Sequence, residues 1–449
     1  MKKIIDQQKE FFLSGTTLNL DFRKQQLLKL KNSILSNYDD IIAAFKKDYN
    51  KCEFDVVTTE ISMVLKELKF MLKNMNKLSR PQKVKTSIIN FKSCGKIYPE
   101  PFGVCLIVSP WNYPFQLSLI PVIDAIATGN TIILKLSVNT PGVSKIIEKI
   151  LSVFDKNYIY ITKAEDRDKI FDQHYDFCFY TGSTRIGKEL AQRQAQYLTP
   201  CVLELGGKSP CIVDADADVK LAAKRLTWGK FLNAGQTCVA PDYACVHESV
   251  LPALLEEIKQ YIKQFYYTDG KLNDSFTHVI SAEKAKYLFQ LTQDENIVVG
   301  GKVDKNIFEP TVLTDITFNC PIMQEEIFGP ILPIMSFSNI DDIISQLKHM
   351  EKPLALYYFG KANAKKCIQE CSFGGGCINE TIMHLTEDKL PFGGVGFSGM
   401  GSYHGKKSFA TFSHYKSVLS KGKLELSIKY PPYTEKKLKF VKKLFGLKK

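Results

Sequence analysis

Cys238 stands in the stretch FLNAGQTCVAPDY, preceded by Gly235, Gln236 and Thr237 and followed by Val239 and Pro241. That loop-like setting separates it from Cys178, Cys201 and Cys211, which fall in apolar runs and read as small core residues. A free thiol with a pKa near ~8.5 is mostly protonated at neutral pH, so a nucleophilic cysteine needs a base or a donor-rich turn beside it. Glu204 is a candidate for that base. It closes the apolar segment CVLEL and precedes Gly206, Gly207 and Lys208. A carboxylate there is either a satisfied cap or a group held ready for proton transfer. Asn112, in PWNYP, is flanked by residues that fix the backbone. Its amide either donates to a developing oxyanion or caps the helix that follows.

Two glycine patterns suggest nucleotide chemistry. Gly182-Ser183-Thr184-Arg185-Ile186-Gly187-Lys188 follows the strand-like DFCFY and opens a helical segment, as a P-loop does. Glu189, however, stands where that loop needs the hydroxyl that binds magnesium. What survives is either an anion site at a helix start or an ordinary strand–helix turn. Gly394-Val395-Gly396-Phe397-Ser398-Gly399 matches G-x-G-x-x-G but follows a loop, not an apolar strand. It reads as a place where backbones pack closely.

These residues need a scaffold. Leu27, Leu30, Ile34, Tyr38, Ile41 and Phe45 predict one amphipathic helix over 21–48, and residues 53–79 repeat the pattern up to Arg80-Pro81. Residues 82–100 read as a short two-stranded excursion with Gly95 near a bend. From Phe102 onward, apolar strands (GVCLIVS, TIILKL, YIYIT, DFCFY, CVLEL) alternate with helical segments. That rhythm predicts a doubly wound parallel sheet, which binds ligands beyond the carboxyl ends of its strands. At ~100–200 residues per domain, 449 residues predict two to four domains.

Composition narrows the class. With 45% hydrophobic residues the chain is not disordered, and no apolar run approaches the ~18 residues of a membrane span. MKKIIDQQKEFF lacks the apolar core of a signal peptide, and the 12 cysteines are scattered, so reduced thiols in a cytoplasmic protein are expected. No cysteine–histidine cluster at metal-binding spacing is present, so no metal is expected. Sixty basic against 47 acidic residues leave +13, of which the last 16 residues supply +6. The body lacks the basic stripe of a nucleic-acid reader, so no nucleic-acid partner is expected.

Taken together in chain order, VSPWNYP, ILK, YTGST, LELGGK, GQTC and EEIFGP resemble the aldehyde dehydrogenase superfamily, over nearly the whole chain. The ending LPFGGVGFSGMGSYHGKKSFATFSH with KYPPY is similar to its class 3 branch. The resemblance implies an α/β fold: a Rossmann-like doubly wound cofactor domain (1–81 and 101–205), an α/β catalytic domain (206–414), and a small β oligomerisation flap (82–100 and 415–432) that bridges a homodimer. It implies oxidation of aliphatic or aromatic aldehydes with NAD or NADP through a cysteine thiohemiacetal and thioester. Cys238 would be the nucleophile, Glu204 the general base, and Asn112 with the Cys238 backbone N–H the oxyanion hole. Lys135 would hold the adenosine ribose, and Ser183, in the loop from Gly182 to Gly187, would face the pyrophosphate. Glu326 would bind the nicotinamide ribose with Phe328 beside the ring, and Trp111 would line the cleft.

One position departs from the family. After Lys135 the chain reads Leu136-Ser137-Val138, where the family often has a ribose-binding glutamate. Val138 accepts no ribose bond and repels no 2′-phosphate, so NADP is expected to be tolerated beside NAD. Residues 433–449 form a basic amphipathic tail that reads as a weak membrane-surface contact, a cover over the substrate entrance, or a solvated end. The rival readings are a triphosphatase built on GSTRIGK and a non-catalytic nucleotide-binding scaffold docked through the tail.

Overall fold

The computed structural model describes residues 1–163, 166–424 and 426–447. Glu425 of the expected flap and Lys448 and Lys449 of the expected tail lie outside them.

Two sheets carry the molecule. The first has six strands in the order Gly399–Met400, Cys201–Glu204, Phe177–Thr181, Val104–Val108, Thr131–Lys135, Ile159–Ile161. All neighbours run parallel except the edge pair, where Gly399 faces Glu204 across an antiparallel register. Val104–Val108 and Phe177–Thr181 are buried at every position, as expected for parallel strands covered on both faces. The second sheet has seven strands in the order Asn296–Val299, Thr311–Thr314, Ile331–Phe337, Tyr243–His247, Pro210–Val213, Ala355–Phe359, Gly375–Ile378. Only its first pair is antiparallel. Helices fill the space around both sheets, so the doubly wound α/β expectation is met.

Several sequence expectations change. The helix expected over 21–48 is two, Leu20–Ser36 and Tyr38–Tyr49, with Asn37 between them. Asn19 caps the first by accepting from Asp21 and Phe22 N–H, and Asn50 ends the second with a left-handed φ of 56°. The stretch 53–79 is continuous in space but holds a π-helical turn, Val57–Ile61. The excursion at 82–100 joins Ser413–Lys421 in a three-stranded antiparallel sheet. Gly95 lies within its central strand, opposite Val84 and Leu419, and not at the bend. Residues 399–412, expected in the catalytic half, belong with the first sheet: Gly399–Met400 is its edge strand, and the helix Lys406–Thr411 packs on the wholly buried helix Gln116–Thr128.

Candidate active site

The chain before Cys238 is bent by three consecutive residues at positive φ: Asn233 (53°), Ala234 (52°) and Gly235 (71°). Left-handed backbone is costly at the two non-glycine positions and persists only when the surroundings fix it. Buried Gln236 supplies that fixation. Its Nε2 donates to the Asn233 and His278 carbonyls at 3.0 and 3.1 Å, and its Oε1 accepts from Ile280 N–H at 2.8 Å. The Thr237 and Tyr113 hydroxyls lie 2.7 Å apart, and Tyr357 donates to the Val239 carbonyl at 2.6 Å. Residues on both sides of Cys238 are therefore tied down, while Cys238 as a residue is half-buried and borders open space.

That space is two cavities. One, of about 520 Å³, lies outside the carboxyl ends of the first sheet. The other, of about 330 Å³, is lined mainly by apolar side chains including Phe54, Met63, Trp228, Leu232, Ile382 and Leu385. Cys238 and Glu204 line both. Burial, with Glu326 and Glu204 adding negative charge, pushes the Cys238 thiol up to about 12. Glu204 is 2% exposed, and neither of its carboxylate oxygens has a hydrogen-bond partner among the described residues. Burial alone raises it well above the usual carboxylate range. The reading of Glu204 as a satisfied cap is thereby set aside.

Asn112 sits in the loop between the Val104–Val108 strand and the helix Gln116–Thr128. Its Nδ2 donates to the Gln236 carbonyl at 3.1 Å, and its own carbonyl accepts from Asn233 Nδ2 at 3.0 Å. It does not cap the next helix, which begins at Gln116 without a side-chain cap.

The larger cavity gathers most of the expected cofactor residues. Trp111, Lys135, Gly182, Ser183, Glu326 and Phe328 all line it. Trp111 and Phe328 meet edge to face, with ring centroids 5.3 Å apart, and Phe328 holds a positive φ of 50°. Burial and neighbouring Asp242 raise Glu326 to about 8. Ser183 precedes the helix Thr184–Ala195 without capping it. A side chain at Gly182 would run into the Tyr180 hydroxyl, so glycine keeps the backbone bare at that helix start. Gly187 is not among the side chains that border this cavity; its missing Cβ lets the helix approach Leu205 and Tyr180.

Sequence reasoning missed the staple behind this wall. Lys208 Nζ donates to Asp242 Oδ2 at 2.6 Å and to the Glu325 and Ile322 carbonyls at 2.8 and 3.1 Å. Asp242 Oδ1 accepts from Ile327 N–H at 3.0 Å. The loop carrying Glu326 and Phe328 is thus pinned to the second sheet. LELGGK drew attention to Lys208, but its partners lie 34 or more residues away. Glu189, the residue that weakened the P-loop reading, pairs with Arg193 at 2.7 Å.

The sequence model described as "Aldehyde dehydrogenase family" matches residues 1–418. The chain belongs to the aldehyde dehydrogenase family. The 4,4′-diaponeurosporen-aldehyde dehydrogenase of Staphylococcus aureus is 42% identical to this aldehyde dehydrogenase over 97% of each chain. Aldehyde dehydrogenase family 3 member A2 of Rattus norvegicus is 40% identical, over 98% of this chain and 93% of its own. A solved structure described as the substrate-bound state of Staphylococcus aureus AldH superposes with a TM-score of 0.96 at 42% identity, covering 99% of both chains. The class 3 resemblance agrees with these relatives, and the chain is an NAD(P)-dependent enzyme that oxidises aldehydes to carboxylic acids. The triphosphatase and scaffold readings are dropped.

Proposed function

We propose that Cys238, Glu204 and Asn112 are the catalytic group of this aldehyde dehydrogenase, with aliphatic or aromatic aldehydes entering through the apolar cavity. The observation that carries the reading is the meeting of the two cavities at Cys238 and Glu204. A cavity of about 520 Å³ fits a dinucleotide. Its bare backbone at Gly182 suits a pyrophosphate, and the Trp111–Phe328 pair suits a flat ring.

In this reading the Cys238 sulfur adds to the aldehyde carbon, and the carbonyl electron pair moves to oxygen. The buried thiol stays protonated until attack begins, and Glu204, with no competing partner, takes its proton. One Asn112 amide hydrogen is committed to Gln236, which aims the other at the new oxyanion beside the Cys238 N–H. When bound, the cofactor supplies a positively charged ring and accepts the hydride. Collapse of the oxyanion leaves a thioester on Cys238. Glu204 passes the thiol proton to solvent, then deprotonates a water that attacks the thioester, and the thiolate leaves as the acid forms.

Purified protein mixed with hexanal or benzaldehyde and either NAD or NADP should build absorbance at the reduced-nicotinamide band. Cys238→Ala should give none. Equal growth in the variant would remove Cys238 from its role.

The proposed organisation is a cofactor domain of 1–81 and 101–205, joined by residues 399–412, a catalytic domain of the rest of 206–414, a flap of 82–100 and 415–432, and a tail of 433–449. The flap strands bridge a homodimer, supported by exposed Val84, Ile88, Phe91, Val418 and Leu419 on and beside them. The cytoplasm is the proposed location, on the composition argument given above. Among the described residues no helix is long and apolar enough to cross a membrane. The tail helix Glu435–Leu444 keeps no residue buried and leaves Leu438, Leu444 and Phe445 exposed among lysines, which supports weak adsorption to an anionic bilayer. None of its described residues lines the substrate cavity, so it is not read as a cover. Deleting residues 434–449 should abolish co-pelleting with phosphatidylserine vesicles, and equal recovery in the supernatant with or without the tail would defeat this assignment.

A further inference from the structure

Lys51 and Glu60 meet inside the molecule, where neither side chain has any exposed surface. The reaction described above uses neither charge. Burying an ion pair costs desolvation that its own attraction seldom offsets, so a well-packed apolar pair would serve stability as well or better. The neighbours of the pair suggest another role. Lys51 Nζ lies 3.4 Å from Glu60 Oε1 and 4.4 Å from the ring centre of Tyr113. Glu60 Oε2 accepts from Gln116 N–H at 2.8 Å. Tyr113 and Gln116 stand at the end of the loop that also carries Asn112, so the pair grips that loop at two points three residues apart. Glu60 is borne on the π-helical turn Val57–Ile61, a deformation that recurs at functional sites. The Thr58 and Thr59 hydroxyls donate to the Phe54 and Asp55 carbonyls at 2.8 and 2.6 Å and help hold the turn. From the gripped loop, contacts run to the two residues before the nucleophile. The Tyr113 hydroxyl lies 2.7 Å from the Thr237 hydroxyl, and Asn112 Nδ2 donates to the Gln236 carbonyl at 3.1 Å.

We propose that Lys51 and Glu60 are positioning residues for the oxidation: the pair sets the loop that aims Asn112 and, through Tyr113 and Thr237, the backbone that presents Cys238. This rests on the catalytic reading of Cys238 and Asn112. A buried ammonium against the face of a tyrosine ring holds that ring by a directional attraction that is strongest when water is excluded. The Glu60 carboxylate fixes the start of the helix Gln116–Thr128 on the other side of the same loop. An apolar pair would fill the space but would hold neither the ring nor the Gln116 N–H.

A double-mutant cycle on the full-length protein tests this. Removing the Lys51 charge alone strands a buried carboxylate and lowers stability, so the deciding variant is Lys51→Leu/Glu60→Gln. It removes both charges, keeps an acceptor for Gln116 N–H, and should recover most of the urea midpoint. Its kcat should nevertheless stay roughly tenfold below wild type, the scale of one buried cation–π contact, with the aldehyde KM and cofactor Kd within about twofold. Lys51→Arg, which keeps a cation beside the ring, should recover part of kcat. Tyr113→Phe keeps the ring but removes the bond to Thr237, and it should lower kcat by itself. In the Lys51→Leu/Glu60→Gln background it should add less than about twofold, because the same path is already cut. A double variant with wild-type kcat, or effects of the two changes that multiply in full, would overturn the positioning role. Wild-type kcat in Tyr113→Phe would overturn it as well, whatever the stability of the charge variants. In each of these outcomes Cys238→Ala stays inactive. Growth of reduced nicotinamide in Cys238→Ala would instead overturn the catalytic reading, and the positioning role with it.

Discussion

The side-chain amide of Asn112 donates to the main-chain carbonyl of Gln236 at 3.1 Å, across 124 residues of sequence. This bond joins the loop after a first-sheet strand to the strained turn that carries Cys238. It also spends one of the two amide hydrogens and so fixes the direction of the other. The proposed oxyanion donor is therefore preorganised before any aldehyde arrives.

Asn112→Ala should lower kcat by roughly 10²–10³, the usual loss for one oxyanion donor, with a much smaller change in the aldehyde KM. Steady-state kinetics with a saturating cofactor decide it. A kcat within threefold of wild type would remove Asn112 from the transition state.

Glu204→Gln should slow both halves of the reaction. Glutamine can neither take the Cys238 proton nor activate water, so reduced nicotinamide should appear without a rapid burst and steady-state turnover should fall. Wild-type deacylation should also depend on pH. Burial raises the Glu204 carboxyl well above its usual range. The base form therefore accumulates only as pH rises through that raised value, and kcat should climb on the alkaline side of the ordinary carboxylate range. A kcat flat from pH 5 to 9 would count against this role.

Lys51 and Glu60 form a wholly buried ion pair at 3.4 Å, with Lys51 Nζ 4.4 Å from the ring centre of Tyr113. Glu60 also accepts from Gln116 N–H at 2.8 Å. Lys51→Met should cost ~3–5 kcal/mol in urea unfolding, because it strands a buried carboxylate. Burial holds the folded Glu60 at about 7 against an ordinary 4.5. Its contribution to stability is complete below the unfolded value and is lost as pH rises through about 7. Without Lys51 the folded value moves higher and the loss continues past pH 7. The penalty of Lys51→Met should therefore grow between pH 7 and 9; a penalty independent of pH would refute this account.

Lys208→Met should free the loop of Glu326 and Phe328 by removing the three bonds that Lys208 donates, one to Asp242 and two to loop carbonyls. Loss of bonds to a charged group corresponds to a rise of about tenfold or more in the cofactor Kd. Fluorescence titration with reduced cofactor measures it, and an unchanged Kd would show that the loop holds itself.

Leu419→Asp should convert the proposed dimer to a monomer in size-exclusion chromatography with light scattering. Leu419 is 50% exposed on the edge strand Ser413–Lys421, and a carboxylate there would need desolvation to stay in an interface. A dimer that survives the change would move the interface elsewhere.

By itself the sequence determined the strand–helix alternation of the first sheet and the positions of Cys238, Glu204 and Asn112. These were legible because buried parallel strands are unbroken apolar runs, and because a polar residue at the end of such a run stands out locally. It proposed Lys135, Ser183, Gly187, Glu326 and Phe328 as cofactor contacts by resemblance, where a packing glycine and a phosphate-facing glycine share one letter. Only the tertiary structure decided that Glu204 has no partner among the described residues, that Asn112 donates to Gln236, and that Lys208 and Asp242 hold the Glu326 loop. It also broke the 21–48 helix at Asn37 and moved residues 399–412 to the first sheet. Those features depend on contacts between residues tens to hundreds of positions apart, and local pattern carries no record of which distant donor meets which acceptor.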